Sequence, residues 1–133
     1  MNRVVLDTDI SSRIIKRRID HPTSSRLASS AWCVSFATAG ELWRWAVARD
    51  WGAASRDNLD QRLDTVAVLH SDERTTRVWG EITGRARRRG RPPPDNDSWI
   101  AACCLAYGLP LATGNVKDYA DFAEHDGLRL VLT

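Results

Sequence analysis

Asp7, Glu41, Asp97 and Asn115 are oxygen-bearing side chains spread widely through a chain of 133 residues. Asp7 closes the short apolar run "RVVLD", and Glu41 lies in "TAGELWRW". Asp97 lies in "PPPDNDSWIAA", and Asn115 follows "LPLAT" by two residues. Each has a local explanation. Asp7 can open a turn with Thr8. Thr38-Ala39-Gly40-Glu41 fits a capping box, in which Glu41 would bond back to the backbone. Asp97, between Asn96 and Ser98, can cap a helix or oppose its dipole. Asn115 can hold a turn after Gly114. Taken together they point to different chemistry. Carboxylates drawn into one cleft repel each other unless a cation sits between them, and hard oxygen donors with retained water suit Mg²⁺ or Mn²⁺.

The elements that must position these residues alternate between strand and helix. "RVVLD", "AWCVSF", "TVAVLH", "LPLAT" and "LRLVLT" are short apolar runs that predict strands. Ile10, Ile14, Ile15 and Ile19 share one face of a short helix, and residues 21–30 begin another. A helix is expected from Thr38 through "ELWRWAVARDW", continuing in "ASRDNLDQRLD", and another from Asp72 to about Arg89 with Val78, Trp79 and Ile82 on its apolar face. The helix over 97–107 is stopped by Gly108 and Pro110. Asp95, directly after Pro94, is expected to lie outside that helix, which makes Asp97 the rigidly held acid of the two. Strands separated by helices predict a parallel sheet covered on both faces. Asp7 and Asn115 then fall at carboxyl ends of strands, with Glu41 and Asp97 near helix N-termini, all on one edge of the sheet.

Composition narrows the class. With 133 residues, 43% of them hydrophobic, the chain is expected to form a single domain over 1–133 with a sizeable core. The net charge is only +2, but basic residues cluster in Arg13, Lys16, Arg17 and Arg18, and again in Arg85, Arg87, Arg88, Arg89 and Arg91. Such a face can attract phosphates despite a near-neutral total, although an arginine-rich solvated surface reads the same way. Three cysteines, two of them adjacent (Cys103 and Cys104), give neither a disulfide framework nor zinc spacing and suit a reducing cytosol. The apolar run in "MNRVVLDTDISS" is too short for a signal peptide, and no segment suits a membrane span. His21, His70 and His125 occupy no catalytic context.

Four stretches, "VVLDTDISS", "FATAGELWRWAVA", "DNDSWIAACCLAYGLPLATGNVKDY" and "GLRLVLT", resemble the signature segments of PIN-domain proteins, nearest to the VapC-type toxins of toxin–antitoxin modules. The resemblance implies a three-layer α/β/α sandwich around a central, mainly parallel sheet of about five strands. It implies a metal-dependent, cytoplasmic endoribonuclease acting on structured RNA such as tRNA or rRNA. It places the family's acids on Asp7, Glu41 and Asp97, its fourth position on Asn115, and its small hydroxyl residue on Thr113. Asp9 stands where the family commonly has Asn or Ser. Because Asn115 is neutral, either Asp9 or Asp118 would supply a fourth carboxylate.

On that resemblance, Mg²⁺, with Mn²⁺ as a substitute, would be bound by Asp7 and Asp97, with Glu41 directly or through water, and would acidify a bound water for in-line attack on phosphorus. The Arg85–Arg91 run would flank the cleft and track the RNA backbone. The family also implies a homodimer and a VapB-like antitoxin, for which some of Trp43, Trp45 and Trp51 would line a groove or the dimer contact. Two other readings fit the acids: a metal-dependent DNase or flap-type nuclease, and a weakened PIN-fold RNA-binding regulator that has lost the metal.

Overall fold

The computed structural model describes residues 2–17 and 21–132, with His21 and Leu132 described by their backbone alone. The expected Ile19 of the first helix and Arg18 of the basic cluster lie outside the described residues. The strands are β1 (Arg3–Leu6), β2 (Ala31–Ser35), β3 (Ala67–Leu69), β4 (Leu111–Thr113) and β5 (Leu130–Leu132). All pair in parallel, in the order β3-β2-β1-β4-β5. The helices are α1 (Thr8–Ile15), α2 (His21–Leu27), α3 (Phe36–Ala48), α4 (Ala53–Thr65), α5 (Glu73–Arg88), α6 (Asp95–Tyr107) and α7 (Val116–Asp126).

Alternation along the strands sorts the core into two sides, because successive side chains of a strand point to opposite faces. Val5, Cys33 and Leu111 face α5, α6 and α7, where they meet Ile82, Ile100, Cys104 and Phe122. Val4, Leu6, Val34 and Ala112 face the other way, against Ile10 and Ile14 of α1, Leu27 of α2 and Leu63 of α4. The expected three-layer sandwich is therefore present, and its sheet is wholly parallel. On the α3 side, Leu42 and Ala46 pack with Leu59 of α4.

Several boundaries differ from the sequence expectation. Helix α3 begins at Phe36, because the Ser35 hydroxyl accepts from Thr38 N and caps it. Thr38 is therefore inside the helix, which removes the capping-box role for Glu41. Helix α6 begins at Asp95, with Pro94 as N-cap and Gly108 closing it in the left-handed region at φ 67°. Asp95 is thus in the first helical turn and not outside the helix. The sequence reading assigns no element to residues 116–126, where the structure has α7.

The strand order places β1 between β2 and β4. Chain connections leave β1 on one side and reach β4 on the other, so the sheet's switch point lies between the carboxyl ends of these two strands. In open parallel sheets this is where a crevice forms. No helix among the described residues is long and apolar enough to cross a membrane.

Candidate active site

Asp7 follows the last residue of β1 and is 2% exposed. It caps α1, its Oδ1 accepting from Ile10 N at 2.8 Å. Its Oδ2 accepts from the Thr113 hydroxyl at the end of β4, and Thr113 Oγ1 in turn accepts from Asn115 N at 2.9 Å. The local role is that of a helix N-cap rather than of a turn opened with Thr8, and it coexists with a place in the cleft. Burial holds the Asp7 carboxyl above its ordinary value, and Asp9 adds to this, while the Thr113 and Ile10 hydrogen bonds and Arg13 oppose it.

Across the crevice, α3 presents Glu41, whose Oε2 accepts from Asn96 Nδ2 of α6 at 3.0 Å. Behind it, Thr8 and Thr38 share a buried hydroxyl–hydroxyl hydrogen bond of 3.1 Å that ties α1 to α3. From α6 comes Asp97, whose Oδ1 accepts from the Tyr119 phenol of α7 at 3.2 Å. Burial first, then Asp118, Glu41 and Asp7, push the Asp97 carboxyl up to about 6, against the lowering effect of the Tyr119 hydrogen bond. Burial and the facing Asp97 raise the Tyr119 phenol well above its usual range, so it keeps its proton and acts as a donor.

Asp7, Thr8, Asp9, Glu41, Trp45, Asp97, Asn115 and Tyr119 line one cleft of about 160 Å³. Four of these are carboxylates and none is basic. Asp9 Oδ2 accepts from Asn115 Nδ2 at 3.0 Å, which spans the cleft mouth from α1 to the head of α7. Asp118, in the first turn of α7, does not line the cleft but acts electrostatically on Asp97. Asp95 points elsewhere, into a cavity with Trp79, Gly80, Arg87 and Pro93. Two residues along a helix turn a side chain through about 200°, which separates the two acids of "DND".

The basic run is placed differently from the acids, and none of its arginines lines the cleft. Arg85 pairs with Asp126 at 3.0 Å and Arg89 with Asp121 at 2.6 Å, both on α7. Arg87, Arg88 and Arg91 are exposed. Sequence reasoning missed Tyr119 and Asn96. Both hold a candidate acid, and Tyr119 sits on the helix that had gone unassigned.

The donor set suits a hard divalent cation. All the candidates are oxygens, and burial first, with the neighbouring carboxylates second, disfavours the charged form of Asp97, which a cation would offset. Among the described residues no three histidine, cysteine, aspartate or glutamate side chains stand in a geometry that would hold an ion as they are placed. Coordination would therefore draw the carboxylates inward, which a cation between like charges favours.

Fold and site define a parallel α/β protein with an acidic cleft at its switch point. The PIN domain signature matches residues 4–126, and the chain belongs to the PIN-domain family. It is 33% identical over 123 residues to Ribonuclease VapC4 of Mycobacterium tuberculosis, covering 90% of this chain and 91% of that protein. It is 30% identical over 125 residues to Ribonuclease VapC1 of Haemophilus influenzae, covering 86% and 88%. Its structure is similar to VapBC-1 from nontypeable Haemophilus influenzae, with a TM-score of 0.85, 25% identity and coverage of 98% and 97%. The fold is shared with VapBC2 from Rickettsia felis, a complex bound to a DNA fragment from its promoter, with a TM-score of 0.83, 22% identity and 98% of each chain covered.

Proposed function

We propose that this chain is a metal-dependent endoribonuclease, the toxin of a VapBC-type module, with structured RNA such as tRNA or rRNA as substrate. The observation that carries this reading is the cleft in which Asp7, Asp9, Glu41 and Asp97 converge at the switch point, on a chain whose relatives bear the name Ribonuclease VapC.

Mg²⁺, or Mn²⁺ in its place, would be held by Asp7 and Asp97 with help from Glu41, and when bound would acidify water and offset charge on the phosphoryl oxygens. The protein's own part is positioning. Thr113 and the Ile10 amide fix both oxygens of Asp7. Asn96 holds Oε2 of Glu41, leaving Oε1 to accept a proton from the attacking water. Tyr119 orients Asp97, and Asn115 holds Asp9 at the cleft mouth. As water oxygen bonds to phosphorus and its proton passes to Glu41, the bond to the 3′-oxygen breaks and that oxygen takes a proton from solvent water. The products are a 5′-phosphate and a 3′-hydroxyl.

A VapB-like antitoxin is the proposed protein partner. A groove of about 370 Å³ runs between α1 and α4 and is lined by Ile14, Ile15, Trp32, Leu63 and Val66, an apolar surface suited to a partner helix. Trp43 and Val47, exposed and one turn apart on α3, are candidates for a homodimer contact.

The test is to map RNA ends in cells after induction, comparing wild type with Asp97→Asn. New 5′-phosphate ends that depend on Asp97 support the reading. Identical end maps for the two proteins would overturn it.

A further inference from the structure

Helix α3 carries Glu41, Trp45 and Arg49 at successive four-residue intervals, with Arg49 at its C-cap. Four residues advance a helix by about 6 Å and return nearly to the same face, so the three form one stripe. The stripe starts inside the acidic cleft. Trp45 lines that cleft together with Glu41, and the Arg49 guanidinium lies over the Trp45 ring at 4.6 Å from its centroid. Trp45 is half-buried, its inner part packed against the cluster of Leu42, Ala46 and Leu59. Arg49 is exposed and forms no ion pair among the described residues.

The arrangement answers an electrostatic difficulty. The cleft is lined by carboxylates with no basic side chain, so a polyanion entering it needs attraction from outside the cleft wall. Two of the five arginines of the basic run, Arg85 and Arg89, are engaged by acids of α7, and the exposed Arg87, Arg88 and Arg91 do not line the cleft. Arg49 carries an uncommitted charge on a rigid helix, and the indole beneath it supplies an aromatic wall at the cleft edge. A ring beside a cation is the pairing that holds unpaired nucleotides, because bases stack on aromatic and guanidinium planes while the charge meets a phosphate.

We propose that Trp45 and Arg49 form a subsite for a single-stranded nucleotide of the RNA next to the scissile phosphate, the base packing on the indole–guanidinium pair and a flanking phosphate meeting Arg49. The subsite rests on the ribonuclease reading. It selects unpaired over paired RNA, since a base locked in a duplex has no face to offer. Stacking is sequence-tolerant, so it sets strandedness and register and leaves base identity to other contacts.

The test measures binding of a fluorescent single-stranded oligouridylate, and of a blunt RNA duplex of equal length, by anisotropy. Ca²⁺ replaces Mg²⁺ to suppress turnover, and the salt concentration is varied. Trp45→Leu should weaken binding of the single strand about tenfold, the scale of one lost base–aromatic stack, and Trp45→Phe should restore most of it. Arg49→Gln, at an exposed position where folding is not at stake, should weaken the single strand and lower its salt slope by about one. Duplex binding should change little in any variant, and the Mn²⁺ midpoint of thermal stabilisation should stay at the wild-type value. Wild-type binding with unchanged affinity and slope in Arg49→Gln overturns the subsite alone. So does a Trp45→Leu protein whose only change is its oligomeric state in sedimentation, which would assign the surface to a subunit contact. A wild-type protein that neither binds nor cleaves any RNA overturns the subsite and the ribonuclease reading together.

Discussion

The phenol of Tyr119 donates to Oδ1 of Asp97 across 3.2 Å, while Oδ2 has no hydrogen-bond partner among the described residues. Tyr119 is 2% exposed, its ring packed in the core behind the cleft. The bond therefore links a rigid part of the protein to a candidate ligand and leaves one oxygen for a cation. Partners of this kind commonly change metal affinity 10- to 100-fold when removed. Tyr119→Phe keeps the ring and deletes the donor, so Mn²⁺ affinity, read by calorimetry, should fall about tenfold. In an Asp97→Asn background the same substitution should have no further effect. Equal losses in both backgrounds would make Tyr119 a packing residue only.

A second expectation separates the two acids of "DND". Asp97 lines the cleft and Asp95 does not. Asp97→Asn should lower cleavage at least a hundredfold, a loss of about 3 kcal/mol in transition-state stabilisation, while the protein stays folded. Asp95→Asn should retain most activity. An active Asp97 variant beside an inert Asp95 variant would move the site to the other side of α6.

The acidic cleft should also set how stability responds to pH when no divalent cation is present. The Asp97 carboxyl titrates near 6 in the folded protein against an ordinary 3.8. Between those values the folded state holds more protons than the unfolded chain, so stability falls as pH rises and the penalty is complete above the folded value. Asp7, raised by burial, acts in the same sense. Asp72, lowered by its hydrogen bond from Thr75 N, acts oppositely but only in more acid solution. In EDTA, the melting temperature should therefore be higher at about pH 5 than at about pH 7.5. Asp97→Asn should flatten that slope and raise the melting temperature at the upper pH. Scanning calorimetry showing stability that climbs between the two pH values would contradict this assignment.

The arginine run divides by its ion pairs. Arg85 pairs with Asp126, whose side chain is only 1% exposed, and Arg89 pairs with Asp121. Deleting the Arg85 guanidinium strands a buried carboxylate, so Arg85→Ala should cost about 2 kcal/mol in chemical denaturation. Arg87, Arg88 and Arg91 have no such partner among the described residues. Changing these three to Gln should leave stability within about 0.5 kcal/mol. If the run also tracks RNA, the triple variant should reduce the salt slope of binding, and an unchanged slope would limit these arginines to solvation.

Much of this was legible before the structure. Asp7 announces itself as an acid ending an apolar run, and strand–helix alternation fixes the parallel sheet on which it sits. The start of α6 was misplaced because its N-cap, Pro94, makes no side-chain cap bond, so the usual signal shifts to the polar residues after it. Helix α7 escaped notice for two reasons. Its buried face is only Tyr119 and Phe122, too few for a clear period. Its N-cap, Asn115, spends its side chain on Asp9 rather than on the helix. Missing α7 meant missing Tyr119. Pairings such as Asn96 with Glu41 span 55 residues, and no local pattern encodes them.

Asp7 and the hydroxyl that fixes it, on Thr113, are 106 positions apart. That separation has a consequence during synthesis. A nascent chain can pair β1 with β2 early, but it has no Thr113, Asn115 or Tyr119 until synthesis has passed α6. The cleft therefore cannot close until β4 and the head of α7 have been made. A chain truncated before β4 would carry Asp7, Glu41 and Asp97 but no assembled site.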